Sequence, residues 1–196
     1  MGHPYKAQKV PATLSIYGNG KIPASALGKL SAGGTAWASS VYAGGPAFAF
    51  NLMYDDALKD GVKLKAVSGG YRSLEAQEAL FFSRYDLVDH GRVPQITRTY
   101  RGRTYFLKPN MSPSASPGTS PHGWACAQDF DVSNGAYDWL CKNGPKYGAY
   151  LQGPPSYLGR PNPEYEAWHW QIADPENPTR KVRRAWRKFL KALGGQ

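Results

Sequence analysis

The sequence predicts an α+β domain, built on a small and mainly antiparallel sheet with flanking helices. Three observations point there. Helix-like and strand-like stretches alternate irregularly along the chain, and neither type comes in a long uniform series. The 22 Gly and 16 Pro among 196 residues imply many turns and short elements. Hydrophobic residues at 41% and aromatic residues at 13% supply enough apolar surface for a packed core. The length fits one domain with, at most, an appendage. No internal repeat is visible.

Taken in order, residues 1 to about 45 are Gly/Ala/Ser-rich, with a turn and a short helix after Pro23. "PAFAFNLMYDDALKDG" reads as a helix, opened by Pro46 and closed by Gly61, with Phe48, Leu52, Ala57 and Leu58 near helical spacing. "VKLKAVSG" alternates and reads as a strand. "RSLEAQEALFFSRY" is a second helix, with Ser73 as N-cap and Glu75 and Glu78 near its positive end. The insert 91–120 contains a hairpin about Gly102 and then a Pro/Ser loop; a loop of this length in a compact domain shapes a site or is mobile. "WACAQDFDV" is a strand, "YDWLCKNGPKYG" a helix with a Gly stop, and "EAWHWQI" the last strand.

No apolar run approaches the ~20 residues that span a bilayer. The opening "MGHPYKAQKVPATLSIYG" has no apolar core of a signal peptide, so none is expected. Cys126 and Cys141 make no disulfide framework and are expected as free thiols. The net charge of +10 is uneven, because the tail carries Arg180, Lys181, Arg183, Arg184, Arg187, Lys188 and Lys191 with no acid among them. "ENPTRKVRRAWRKFLKALGG" reads as a basic amphipathic helix, with Asn177 as N-cap, Pro178 at its first position and Gly194 as stop. Val182, Ala185, Trp186, Phe189, Leu190 and Leu193 form its apolar stripe. Two outcomes are open for this stripe: docking on the body, or attraction to an anionic wall polymer or membrane surface. Nucleic acid is not expected, since no recognition motif accompanies the cations.

The chemistry concentrates in "SPHGWACAQDFDVSNG". His122 and Asp129 are seven apart, which on one continuous strand would place them on opposite faces. Pro121 and Gly123 break the strand at His122, so the histidine lies in the incoming loop and is free to fold over. A second stretch, "YEAWHWQI", turns His169 away from Trp168 and Trp170 and puts Glu166 at the strand entrance. A single histidine beside an aromatic is ordinarily a core residue; the paired histidines with an acid in each segment point elsewhere. Two histidines and a carboxylate give the three protein ligands of an open, catalytic zinc site. Glu166, outside that set, can take a proton from water and pass it to a leaving amine.

At these residues the sequence resembles a family of zinc peptidases that includes the VanY and VanX D,D-peptidases and the L-alanyl-D-glutamate endolysins of bacteriophages. Ser120-x-His122, Asp129 seven later, Glu166-x-Trp168-His169 and the upstream "SGGYRSLEAQ" carry the resemblance, which covers about residues 45 to 175. It implies a hedgehog/D,D-peptidase-like fold, a Zn2+ cofactor held by His122, Asp129 and His169, and Glu166 as general acid/base. It further implies that Arg72 stabilises the oxyanion or holds a substrate carbonyl, and that Ser120 and Gln77 orient the substrate peptide. Asp131 is the competing carboxylate, ranked below Asp129. Ala125 stands where many members have Gly, and "SGGYR" has one extra Gly; both departures read as minor.

The domain reading is therefore a catalytic unit over 1–177, with core motifs in 45–175, followed by a basic helix over 178–196. Leaderless and cationic, the chain fits a monomeric phage endolysin, made in the host cytoplasm and acting on the bacterial cell wall after release. The expected reaction is hydrolysis of L-Ala–D-Glu in the peptidoglycan stem peptide. A D-alanyl-D-alanine carboxypeptidase is the alternative within the class, and a non-catalytic zinc-containing wall-binding module the alternative outside it.

Overall fold

The computed structural model describes residues 3–157, 160–162 and 165–194. In chain order its elements begin with α1 (Ala12–Ser15), β1 (Leu27–Lys29), β2 (Thr35–Trp37), α2 (Gly45–Lys59), β3 (Ala66–Ser68) and α3 (Leu74–Arg84). There follow β4 (Tyr85–Asp86), β5 (Thr97–Tyr100), β6 (Arg103–Leu107), β7 (Ala127–Phe130), α4 (Ala136–Asn143) and β8 (Ala149–Leu151). The chain then forms β9 (Ser156–Tyr157), β10 (Arg160–Pro161), β11 (His169–Ile172) and α5 (Arg180–Ala192). Short 3₁₀ turns span Ala24–Ala26, Pro121–Trp124 and Gly144–Tyr147.

A four-stranded sheet in the order β3-β7-β11-β8, antiparallel throughout, forms the centre. Period-2 alternation gives each central strand two faces with different duties. On one face Phe130 and Trp170 join Phe50 and Met53 of α2, Leu140 of α4 and Leu151 of β8 in the main core. Fully burying a side chain of this size contributes roughly 1.5–3 kcal/mol, so this face supplies much of the stability. The opposite face carries Asp129 and His169.

A second sheet, β4-β6-β5, lies within the 85–107 segment and rests on α3 through Phe81, Tyr85, Ile96, Tyr105 and Leu107. The expected hairpin about Gly102 is β5–β6. Its two-residue turn needs positive φ at both positions, and Arg101 (48°) and Gly102 (73°) supply it.

Ser73 caps α3 as the sequence indicated, its Oγ accepting the Ala76 amide at 3.2 Å. Several boundaries differ from the sequence reading. The helix expected after Pro23 is a single 3₁₀ turn. The strand expected over 62–69 pairs only at Ala66–Ser68, where its register with β7 shifts. The helix from Tyr137 ends at Asn143, and the following residues, with Pro145 unable to continue the ladder, form a 3₁₀ turn. The last helix begins at Arg180 and is capped by Thr179, not Asn177. Thr179 is extended, and its Oγ accepts the Val182 amide at 3.3 Å; Pro178 lies ahead of the helix. Val182 is fully buried in the main core, so the basic helix docks on the body. Cys126 and Cys141 are both free.

Candidate metal centre

Three segments converge on one point. β7 and β11 pair with His169 directly opposite Asp129. The Phe130 amide donates to the Trp168 carbonyl at 2.9 Å, which makes the next pair, Asp129 and His169, a non-hydrogen-bonded one. In such pairs the side chains stand closest. His122 arrives on the 3₁₀ turn Pro121–Trp124, capped by Ser120, whose Oγ accepts the His122 amide at 3.3 Å. Ala125 ends the turn in the left-handed region, φ 54°, which explains why Gly suits this position; the turn nonetheless forms with Ala.

His122 Nε2 lies 3.2 Å from Asp129 Oδ1 and 3.2 Å from His169 Nδ1, and His169 Nδ1 lies 3.1 Å from the same Asp129 oxygen. All three residues are buried. The protons decide what this triangle can be. His122 Nδ1 sits 2.6 Å from the Gly70 carbonyl oxygen, an acceptor only, so Nδ1 carries the hydrogen. Burial pushes the His122 pKa down, which keeps the ring neutral and Nε2 a bare lone pair. That lone pair faces a carboxylate oxygen. Without a cation between them the contact is repulsive. Ligand bonds of about 2.0–2.1 Å in tetrahedral geometry would set neighbouring donor atoms roughly 3.3 Å apart, close to the distances found. The donor set, two imidazoles and one carboxylate, fits zinc.

The surrounding residues orient the donors. Ser68 Oγ donates to Asp129 Oδ2 at 2.6 Å, which leaves Oδ1 for the triangle. Gly70 of "SGGYR" is the residue that orients His122. A Cβ there would collide with the Thr35 carbonyl oxygen, so only glycine brings this carbonyl so close. His169 Nε2 is buried without a partner among the described residues.

Glu166 stands at the entrance to β11, partly buried, its carbonyl accepting the His169 amide at 3.1 Å. Burial raises its pKa; His169, Arg84 and Arg72 oppose that, while Asp129 adds to it. Arg72 is held at both backbone ends: its amide donates to the His122 carbonyl at 3.1 Å, and its carbonyl accepts Gln77 Nε2 at 3.2 Å. Burial lowers the guanidinium pKa, and the charges of Asp129 and Glu166 act on it, so the side chain shares their environment. Asp131 is excluded from the cluster. Its Oδ1 accepts the Ser133 amide at 3.0 Å and shapes the turn after β7.

Gln77 and Ser120 are placed in the wall of the site. Gln77 Nε2 also donates to Asn19 Oδ1 at 3.1 Å, and its Oε1 accepts the Gly118 amide at 3.0 Å. Asn19 Nδ2 in turn donates to the Ser120 carbonyl at 2.7 Å. Gln77 thus ties α3 to the loop that delivers His122. Sequence reasoning missed Ser68, Gly70, Asn19 and Arg84. The first two lie within "SGGYR" and could have been inferred from it; Asn19 sits far upstream with no local signal. Arg84, at the end of α3, donates to the Pro113 carbonyl at 3.0 Å, and its charge acts on both Arg72 and Glu166.

Residues 45–174 match the VanY family, described as D-alanyl-D-alanine carboxypeptidases. The chain belongs to this family. The carboxypeptidase-named YodJ of Bacillus subtilis (strain 168) is 27% identical to this VanY-family chain over an alignment of 133 residues that covers 62% of the chain. The match spans 42% of YodJ's length. Among solved structures, the fold is similar to that of a VanY D,D-pentapeptidase from a VanB-type resistance cassette in complex with Zn(II) (TM-score 0.51, 21% identity, 89% of each chain). VanYB in complex with D-alanine-D-alanine is similar to the same degree (TM-score 0.51, 22% identity, 89% of this chain and 88% of that one). So is LdcB, an LD-carboxypeptidase (TM-score 0.51, 22% identity, 90% of this chain and 77% of that one). The α+β fold with its central antiparallel sheet is that of the VanY peptidases.

Proposed function

We propose that this VanY-family chain is a zinc-dependent peptidase of the peptidoglycan stem peptide, with His122, Asp129 and His169 as ligands and Glu166 as general acid/base. The observation that carries the metal is the bare His122 Nε2 facing Asp129 Oδ1 at 3.2 Å, a contact that calls for a cation. Zinc at this point would lower the pKa of a bound water to about 7 and polarise the scissile carbonyl. Glu166 takes the proton of the attacking water and returns it to the departing amine, and its burial-raised pKa brings it nearer to the working pH for both transfers. Arg72 stabilises the charge that develops on the carbonyl oxygen. Ser120 and Gln77 act on the substrate by fixing the wall that carries His122 and Arg72.

The bond is the finer question. Arg72 and Arg84 put two cationic charges near Glu166, which suits a leaving residue that ends in a free carboxylate. Together with the family, this favours removal of a terminal D-Ala from D-Ala–D-Ala. Cleavage of L-Ala–D-Glu by a phage endolysin, acting on the wall after release from the host cytoplasm, uses the same residues and is the second reading. Purified peptidoglycan digested with the enzyme and analysed by mass spectrometry separates them. Free D-Ala supports the carboxypeptidase, new N-terminal D-Glu supports the endopeptidase, and an undigested wall with zinc bound at full occupancy overturns both in favour of a binding module.

A further inference from the structure

The basic helix α5 docks by only part of its apolar stripe. Val182 is fully buried, and Trp186 meets Phe48 of α2 edge-on at 5.0 Å. Lys181 pairs with Asp56 at 2.8 Å, and Thr179 Oγ donates to the Lys146 carbonyl at 2.7 Å. Phe189, Leu190 and Leu193 continue the stripe by helical spacing. Beyond Trp186, however, the body falls away. Phe189 still touches Phe48 at 5.6 Å but is 43% exposed, Leu190 is 41% exposed and Leu193 69%. The cations Arg180, Arg183, Arg184, Arg187, Lys188 and Lys191 are all exposed, and none forms an ion pair with an acid among the described residues. Five of them, Arg180, Arg184, Arg187, Lys188 and Lys191, line one shallow surface depression of about 400 Å³.

We infer that the outer end of α5 is a docking surface for an anionic lipid bilayer, with Phe189, Leu190 and Leu193 entering the headgroup region and the flanking cations meeting the lipid charge. Charge complementarity selects an anionic occupant. A second copy of the chain is disfavoured, because it would bring the same cations face to face. A dissolved polyanion would satisfy the cations but leave the three apolar side chains in water. A bilayer satisfies both. The helix's described contacts run to α2 and the Lys146 turn, on the core side of the central sheet and opposite the face that carries Asp129 and His169, so docking leaves the metal centre free.

The test is co-sedimentation of the full chain with phosphatidylcholine vesicles, with and without phosphatidylglycerol, at 0.1 and 0.5 M salt. Binding is expected only with phosphatidylglycerol, and weaker at the higher salt, where the Debye length falls below about 5 Å. Arg184→Gln/Arg187→Gln/Lys188→Gln should lower affinity on the order of a hundredfold, at roughly fivefold per cation. Leu190→Ser/Leu193→Ser should lower it about tenfold, with the melting temperature and cleavage of a soluble D-Ala–D-Ala peptide unchanged in both variants. Absence of binding to phosphatidylglycerol vesicles overturns the proposal. Binding indifferent to Leu190→Ser/Leu193→Ser also overturns it, and reassigns the surface to soluble polyanions such as polyphosphate. A joint fall in melting temperature and soluble-peptide cleavage overturns it too, leaving α5 a structural helix. Vesicle binding is read without catalysis, so a failure here is separable from a failure of the peptidase assignment.

Discussion

At the residue scale the site is set by which atom of each ring carries a proton. The Gly70 carbonyl fixes the hydrogen on His122 Nδ1, and Ser68 takes one oxygen of Asp129, so the remaining lone pairs converge. Replacing His122, Asp129 or His169 with Ala should therefore remove zinc and activity together, as measured by metal analysis beside a peptidase assay. In the proposed site each residue would supply one of three protein bonds. Retention of a full equivalent of zinc in all three variants would refute the ligand set. Glu166→Gln should instead keep zinc and lose roughly 10²–10⁴-fold in turnover. The sign of the pH effect follows from burial. The raised pKa of Glu166 means that the carboxylate, the form needed as base, appears only as pH rises through that elevated value. The acidic limb of kcat/KM should thus lie above the ordinary Glu range. A raised folded pKa also means that stability is lost as pH climbs through it, so Gln at 166 should melt no lower than Glu at neutral pH. A clear drop in melting temperature would contradict this reading.

At the element scale the register of β7 against β11 and the docking of α5 on α2 matter most. The second rests partly on Asp56, which Lys181, Lys59 and Tyr147 all contact, at 2.8, 2.8 and 2.9 Å. Burial pushes the Asp56 pKa up, but these three partners pull it down to about 2. With its folded pKa depressed, the contribution is present above the unfolded value and disappears as pH falls toward 2. Discounted for solvent screening, Asp56→Asn should cost about 1 kcal/mol at neutral pH, or roughly 2–4 °C of melting temperature in a domain this size. Thermal melts at pH 7 and near pH 2 check it: the difference from the parent should vanish in acid. An equal difference at both would mean that shape, not charge, is what Asp56 contributes.

At the scale of the whole molecule the metal centre joins three stretches that are far apart in sequence, at 68–72, 120–129 and 166–169. An unfolded chain has no reason to hold them together, so zinc binds the native state and stabilises it by mass action. At free zinc a thousandfold above its dissociation constant the gain is about 4 kcal/mol, or roughly 10 °C for a domain of this size. Calorimetry of chelated and zinc-restored protein should show that rise, and His122→Ala should abolish it. A melting temperature indifferent to zinc in the parent protein would remove the metal from the folding balance.

The sequence alone was sufficient for the local and chemical content: Ser73 as a cap, the Gly102 hairpin, the alternation that separates His169 from Trp170, and the choice of His122, Asp129 and His169 as the side chains that converge. These are set by nearest neighbours and by side-chain chemistry, which a linear string carries. Helix ends were less legible, as the shift from Asn177 to Thr179 illustrates, because two residues either side of Pro178 could each cap and packing chose between them. The stripe of α5 was legible, but not where the body beneath it stops. The supporting shell was hidden further still. Gly70, Ser68, Asn19 and Arg84 act through contacts 29 to 101 residues away along the chain. Only the tertiary structure decides such pairings, since the free energy of a hydrogen bond or a charge depends on what faces it, and folding alone determines that.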